Sequence, residues 1–109
     1  MSWPQFKTIW ERICNCQQQK FKTKKGLPFI YSRETGAVWV ERDGHRINQN
    51  LAKSNFTQVY SMMQDKPLSG PAEINKRAIE RGESQVRGTS YVWAILYDKR
   101  IVPLGCPHF

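Results

Sequence analysis

Leu27-Pro28-Phe29-Ile30-Tyr31-Ser32-Arg33-Glu34-Thr35-Gly36-Ala37-Val38-Trp39-Val40-Glu41-Arg42-Asp43-Gly44-His45-Arg46-Ile47 is the stretch whose pattern decides the fold. Leu27, Phe29 and Tyr31 alternate with Pro28, Ile30 and Ser32, and Val38 and Val40 alternate with Trp39 and Glu41, a period of two that belongs to strands with one face on a core. Glu34-Thr35-Gly36 separates the two runs as a Gly-containing hairpin loop. Asp43-Gly44 is a second turn and sends His45-Arg46-Ile47 back as a short third strand. The prediction is a three-stranded antiparallel meander over about 27–48.

A small meander needs a cover on its apolar face, and the flanking sequence supplies helices. Upstream, Phe6, Ile9, Trp10, Ile13, Cys14 and Gln17 recur at three- and four-residue steps, predicting a helix over about 3–17 with Ser2 as N-cap and Pro4 in the first turn. Downstream, Leu51, Phe56, Val59, Tyr60 and Met63 have helical spacing, so a helix over about 54–64 follows, capped by Ser54. Pro71 suits a first helical position, Glu73 the positive end and Gly82 the stop of a third helix over about 71–82, whose apolar face is only Ile74, Ala78 and Ile79. The segment 90–98 is apolar throughout its middle. Its Val, Ile, Tyr and Trp favour a strand, whereas Thr89-Ser90 before it and Lys99-Arg100 after it favour a helix, the reading preferred here. Phe29, Tyr31, Val38, Val40, Phe56, Val59, Ile95 and Leu96 are expected to share one core. The fold class is therefore α+β, a meander packed against several helices in a single compact domain, with a mobile tail beyond Pro103.

Size and composition fit that architecture. The chain has 109 residues, 39% hydrophobic, enough for one core and short for two. Four Trp, four Tyr and five Phe exclude a disordered basic tail, which is poor in aromatics. No run approaches the ~18 apolar residues of a membrane span, and the N-terminus lacks a charged segment followed by an apolar one. Three cysteines without framework spacing suit a reducing compartment, so the cytoplasm is expected.

The formal net charge is +8, and Lys20, Lys22, Lys24, Lys25 and Arg33 fall in a run without an acidic residue. Such an excess attracts polyanions, nucleic acid first and anionic membrane surfaces second. The lysines would contact phosphates. Arg42 and Arg46 are the better candidates for selective contacts, because a guanidinium forks onto a guanine edge or a phosphate. Trp39 either faces solvent as a stacking platform for an unpaired base or packs under a helix. The candidate nucleic-acid-binding set is thus Lys20, Lys22, Lys24, Lys25, Arg33, Trp39, Arg42 and Arg46, with DNA expected over RNA and no catalysis or cofactor.

Other constellations are weaker. Ala78 and Gly82 have helix-turn-helix spacing, but Gly88 falls where that motif needs an apolar residue. Cys14, Cys16, Cys106 and His108 offer a zinc donor set, yet a single residue between the first two places them on different sides of a helix, so no metal is expected. Glu41, Asp43, His45 and Arg46 surround one turn and would suit a small ribonuclease only if poised on a substrate. A protein-interaction or oligomerisation module, using the aromatic content to cover a partner, is the principal rival.

Phe21-Lys22-Thr23-Lys24-Lys25-Gly26-Leu27-Pro28-Phe29-Ile30-Tyr31, Gly70-Pro71 and Gly88-Thr89-Ser90-Tyr91-Val92-Trp93-Ala94-Ile95-Leu96-Tyr97-Asp98-Lys99-Arg100-Ile101 together resemble small uncharacterised bacterial proteins carried on mobile elements such as integron cassettes. The resemblance implies no activity. The order of a Gly-led hairpin, Asp43-Gly44, a Ser-capped helix and a late aromatic run is also similar to restriction-associated reader domains for modified DNA, which implies DNA as the partner.

Overall fold

A computed structural model describes residues 3–102, apart from the side chains of residues 48 and 49. The expected Ser2 cap, the tail beyond Pro103, Cys106 and His108 lie outside the described residues. Elements follow in the order α1 (Phe6–Asn15), β1 (Phe21–Lys22), β2 (Pro28–Glu34), β3 (Ala37–Arg42), β4 (His45–Ala52), α2 (Lys53–Asp65), α3 (Ala72–Glu80) and α4 (Thr89–Leu96). The α+β class holds, and the apolar segment after Gly88 is the helix α4.

The two hairpins form where the sequence placed them. Thr35 and Gly36 have φ of 47° and 76°, and Asp43 and Gly44 have 52° and 78°. Two consecutive left-handed residues give a turn whose twist matches that of the strands it joins. Tyr31 therefore pairs with Val40 and Glu34 with Ala37, while Arg42 pairs with His45 and Glu41 with Arg46. Beyond Arg46 the register shifts: Trp39 pairs with Asn50, so β4 bulges against β3.

Several features differ from the sequence reading, among them Leu51, which belongs to β4 rather than to α2, and Pro4, which precedes the Gln5 N-cap of α1. The sheet has four strands rather than three, in the order β1-β2-β3-β4, because Phe21 pairs with Phe29 and Lys22 with Pro28. Leu27 is not part of the apolar face. It sits in the β1–β2 loop at 49% exposure, where the Thr23 N–H donates to the Leu27 carbonyl (2.9 Å) and the Leu27 N–H donates to Thr23 Oγ1 (3.1 Å). Finally, β4 runs straight into α2, so Ala52 occupies the capping position and Ser54 lies inside the helix, making no cap. Backbone geometry starts α4 as well: Gly88 is its N-cap at φ 66°, without a side-chain bond from Thr89 or Ser90.

One face of the sheet is covered. Phe29, Tyr31, Val38, Val40 and Leu51 share a core with Ile9 and Ile13 of α1, Phe56 and Val59 of α2, and Ile95 and Leu96 of α4, so all eight expected core residues are in it. The Tyr31 hydroxyl donates to the Ile13 carbonyl at 2.6 Å, fixing α1 on the sheet. α3 adds Ile74 and Ala78 but leaves Ile79 at 64% exposure. Asn75 exchanges two hydrogen bonds with the Val86 backbone (3.0 and 2.6 Å), which pins the loop leading to α4. Arg100 clips the edge strand: its guanidinium lies 4.0 Å from the Phe21 ring centroid and donates to the Lys20 carbonyl at 2.9 Å.

Candidate nucleic-acid interface

The fold divides the expected cationic residues into groups. Lys24 and Lys25 project from the β1–β2 loop, and Arg42 ends β3 next to the start of β2. All three line one cleft of about 600 Å³. The N-terminal turns of α3 and α4 complete its wall with Ser69, Gly70, Pro71, Ala72, Ser90 and Tyr91, and Leu27 provides an apolar lip. Tyr91 accepts a hydrogen bond at its hydroxyl from Arg42 Nη1 (3.0 Å), which ties the guanidinium to the start of α4. Lys24 Nζ donates to the Ser69 carbonyl at 2.7 Å. It approaches so closely that a Cβ on Gly70 would stand 2.8 Å from it.

Glu73 is the acidic member of the wall. Its carboxylate accepts from the backbone N–H of Ser69 at 2.8 Å and from the Ser69 hydroxyl, and it pairs with Arg77 at 3.4 Å. The Ser69 hydroxyl, the Ser69 backbone N–H and the neighbouring Arg77 hold its carboxyl below the usual range, so it stays ionised.

Lys20 and Lys22 are exposed. Lys22 lies on the edge strand, while Lys20 borders a separate hollow of about 220 Å³ with Glu41 and Asp43. Arg33 is exposed near the far end of β2, where its backbone N–H donates to Gln17 Oε1 (2.8 Å). Arg46 is committed elsewhere. It grips Glu34 with two bonds of 2.8 and 3.2 Å and lies over the Trp39 ring, 5.1 Å from its centroid. The hydrogen bond raises the pKa of Arg46 and lowers that of Glu34.

Trp39 is therefore neither an open platform nor packed under a helix. It is half-buried on the sheet face opposite the core, with the Arg46 guanidinium over its ring. Its Nε1 and the neighbouring Ser32 Oγ are buried, without a hydrogen-bond partner among the described residues.

The helix-turn-helix possibility closes on geometry: α3 ends at Glu80 and α4 begins at Thr89, too long a separation for a three- to four-residue turn. α1 continues through Cys14, as its periodicity requires, and Cys16 is the C-cap. Among the described residues no three His, Cys, Asp or Glu side chains are grouped to hold a metal, and no helix is long and apolar enough to cross a membrane. Of the ribonuclease-like set, Arg46 bonds to Glu34 and pairs across the hairpin with Glu41, while Glu41 and Asp43 border the hollow with Lys20.

Sequence reasoning found the three cations of the cleft but missed its other wall. Pro71 and Thr89-Ser90 were legible as helix starts. That their turns meet opposite the β1–β2 loop is a tertiary fact with no local signal. The chain matches no family model, no curated protein and no solved structure.

Proposed function

We propose that this protein binds nucleic acid, DNA in preference to RNA, through the cationic surface formed by the β1–β2 loop and the end of β3, without catalysing a reaction on it, in the cytoplasm. The observation that carries the reading is the convergence of Lys24, Lys25 and Arg42 on one cleft, beside the exposed Lys20 and Lys22 on and next to the edge strand. Cations grouped in this way neutralise successive phosphates, and the released counterions drive binding. The preference for DNA rests on the likeness to modified-DNA readers. The rival interaction module needs a broad apolar patch. Among the described residues the large hydrophobic side chains left exposed are Leu27 and Ile79, and Leu27 belongs to the cationic cleft.

The test is fluorescence anisotropy with duplex DNA, single-stranded DNA and RNA over a salt series. Affinity for duplex DNA should fall with salt, each neutralised phosphate adding about 0.9 to the slope. Replacing Lys22, Lys24 and Lys25 together by Glu should abolish binding while the circular dichroism spectrum stays native. A folded triple variant with unchanged affinity refutes the reading.

A further inference from the structure

We infer that the cleft between the β1–β2 loop and the first turns of α3 and α4 takes a phosphate monoester, the terminal phosphate of a nucleic-acid strand, rather than an internal phosphodiester. The inference rests on the nucleic-acid reading and specifies its ligand.

Charge is the first support. Lys24, Lys25 and Arg42 bring three positive charges, and the carboxylate of Glu73 is balanced by Arg77 at 3.4 Å. Such an excess is met better by a monoester, which carries about −1.5 to −2 at neutral pH, than by a diester with its single charge. Donor capacity is the second. Lys24 spends one bond on Ser69 and Arg42 one on Tyr91, leaving the remaining donors of an ammonium and a guanidinium available. Ala72 and Ser90, in the first turns of α3 and α4, also line the cleft, and backbone N–H groups at a helix start have no partner within the helix. A monoester offers three terminal oxygens to such a set, a diester two.

Shape is the third support. A rim that only tracks a backbone needs no depth, whereas about 600 Å³ lies within the ~300–1,000 Å³ range of small-ligand sites. Leu27, Pro71 and Tyr91 give that volume an apolar side, suited to the sugar and base attached to the phosphate.

The experiment compares one single-stranded oligonucleotide with a 5′-phosphate, a 3′-phosphate or hydroxyls at both ends. At least one phosphorylated form should bind tenfold or more tightly than the hydroxyl form at pH 7.5, and the arms identify the end. Because the second ionisation of a monoester lies near pH ~6, this ratio should shrink markedly at pH 5.5. Arg42→Gln and Lys25→Gln should each reduce it. So should Gly70→Ala, which displaces the Lys24 ammonium by adding a Cβ against it. Equal binding of the three strands overturns the inference and leaves the nucleic-acid reading standing. Failure of every strand, with thymidine 5′- or 3′-monophosphate bound and displaced by inorganic phosphate, overturns the reading and retains the monoester site. If neither strands nor mononucleotides bind, both fall.

Discussion

Replacing Arg100 by Ala tests how the cationic loop is held in place. Arg100 Nε and Nη2 hold Asp98 Oδ1 and Oδ2 at 2.8 and 2.9 Å, while Nη1 reaches Gln19 Oε1 at 3.1 Å. The same side chain donates to the Lys20 carbonyl and covers the Phe21 ring. An ion pair as exposed as this one contributes about 0.5 kcal/mol, the bond to the Lys20 carbonyl about 1 kcal/mol and the cation–π contact about 0.5 to 1 kcal/mol. Their loss should cost about 2 kcal/mol, roughly a 30-fold change in the folding equilibrium. Urea denaturation reads that loss directly, and the thermal midpoint should fall by roughly 8 °C. Amide exchange at Phe21 and Lys22 should accelerate more than exchange in β3, because the substitution frees the edge strand first. Arg100→Lys keeps the charge without the fork and should recover less than half of the loss. A destabilisation below ~0.5 kcal/mol, the scale of an ordinary surface change, would refute the role given to Arg100.

Two further predictions concern the core. Phe56 is fully buried and meets Trp10 edge-to-face at 5.8 Å, so Phe56→Ala should cost about 3 to 5 kcal/mol in urea denaturation; a change under ~1 kcal/mol would show that α2 is not packed on the sheet. Burial, with smaller contributions from neighbouring groups, pushes the Tyr31 hydroxyl far above its ordinary pKa of 10.0. Its stabilising effect is thus fully present below about pH 10 and is lost as pH rises beyond it, because the unfolded chain ionises there and the folded one does not. The urea midpoint should drop between pH 9 and 11, and Tyr31→Phe should shrink that drop; an undiminished drop would remove Tyr31 as its cause.

The sheet was legible because its determinants are local. Thr35-Gly36 and Asp43-Gly44 fix both hairpins, and alternation from Phe29 to Val40 sets which face is buried. The helices α1 and α2 were legible from their three- and four-residue spacing. α4 was ambiguous for a physical reason: Tyr91, Val92, Ala94, Ile95 and Leu96 are all buried, so enclosure on most sides erases the periodicity that identifies a helix. β1 escaped notice because two residues are too few to show a pattern, and it exists through pairing with β2 and the grip of Arg100. At the candidate site, the lysine run and Arg42 were visible as charge. Sequence did not show which cations remain available. Arg46 is tied to Glu34 across Trp39 through backbone register, whereas Lys24 and Arg42 are held by Ser69 and Tyr91, partners 45 and 49 positions away.

The clasp that Arg100 makes on Lys20 has a counterpart in Arg12, whose Nη1 donates to the Ile101 carbonyl at 2.9 Å across a separation of 89 positions. Both join the segment around α1 and β1 to the residues just after α4, whereas each strand pairs only with its neighbours in sequence. Short-range pairings close cheaply and early, while contacts that span the chain must first overcome the entropy of closing a long loop. Folding should therefore build the hairpins first and bring α1 and β1 against the residues after α4 last. A chain still emerging from the ribosome would hold a formed meander whose cleft lacks its α3 and α4 wall, so the proposed ligand competence would arrive only once α4 has been made.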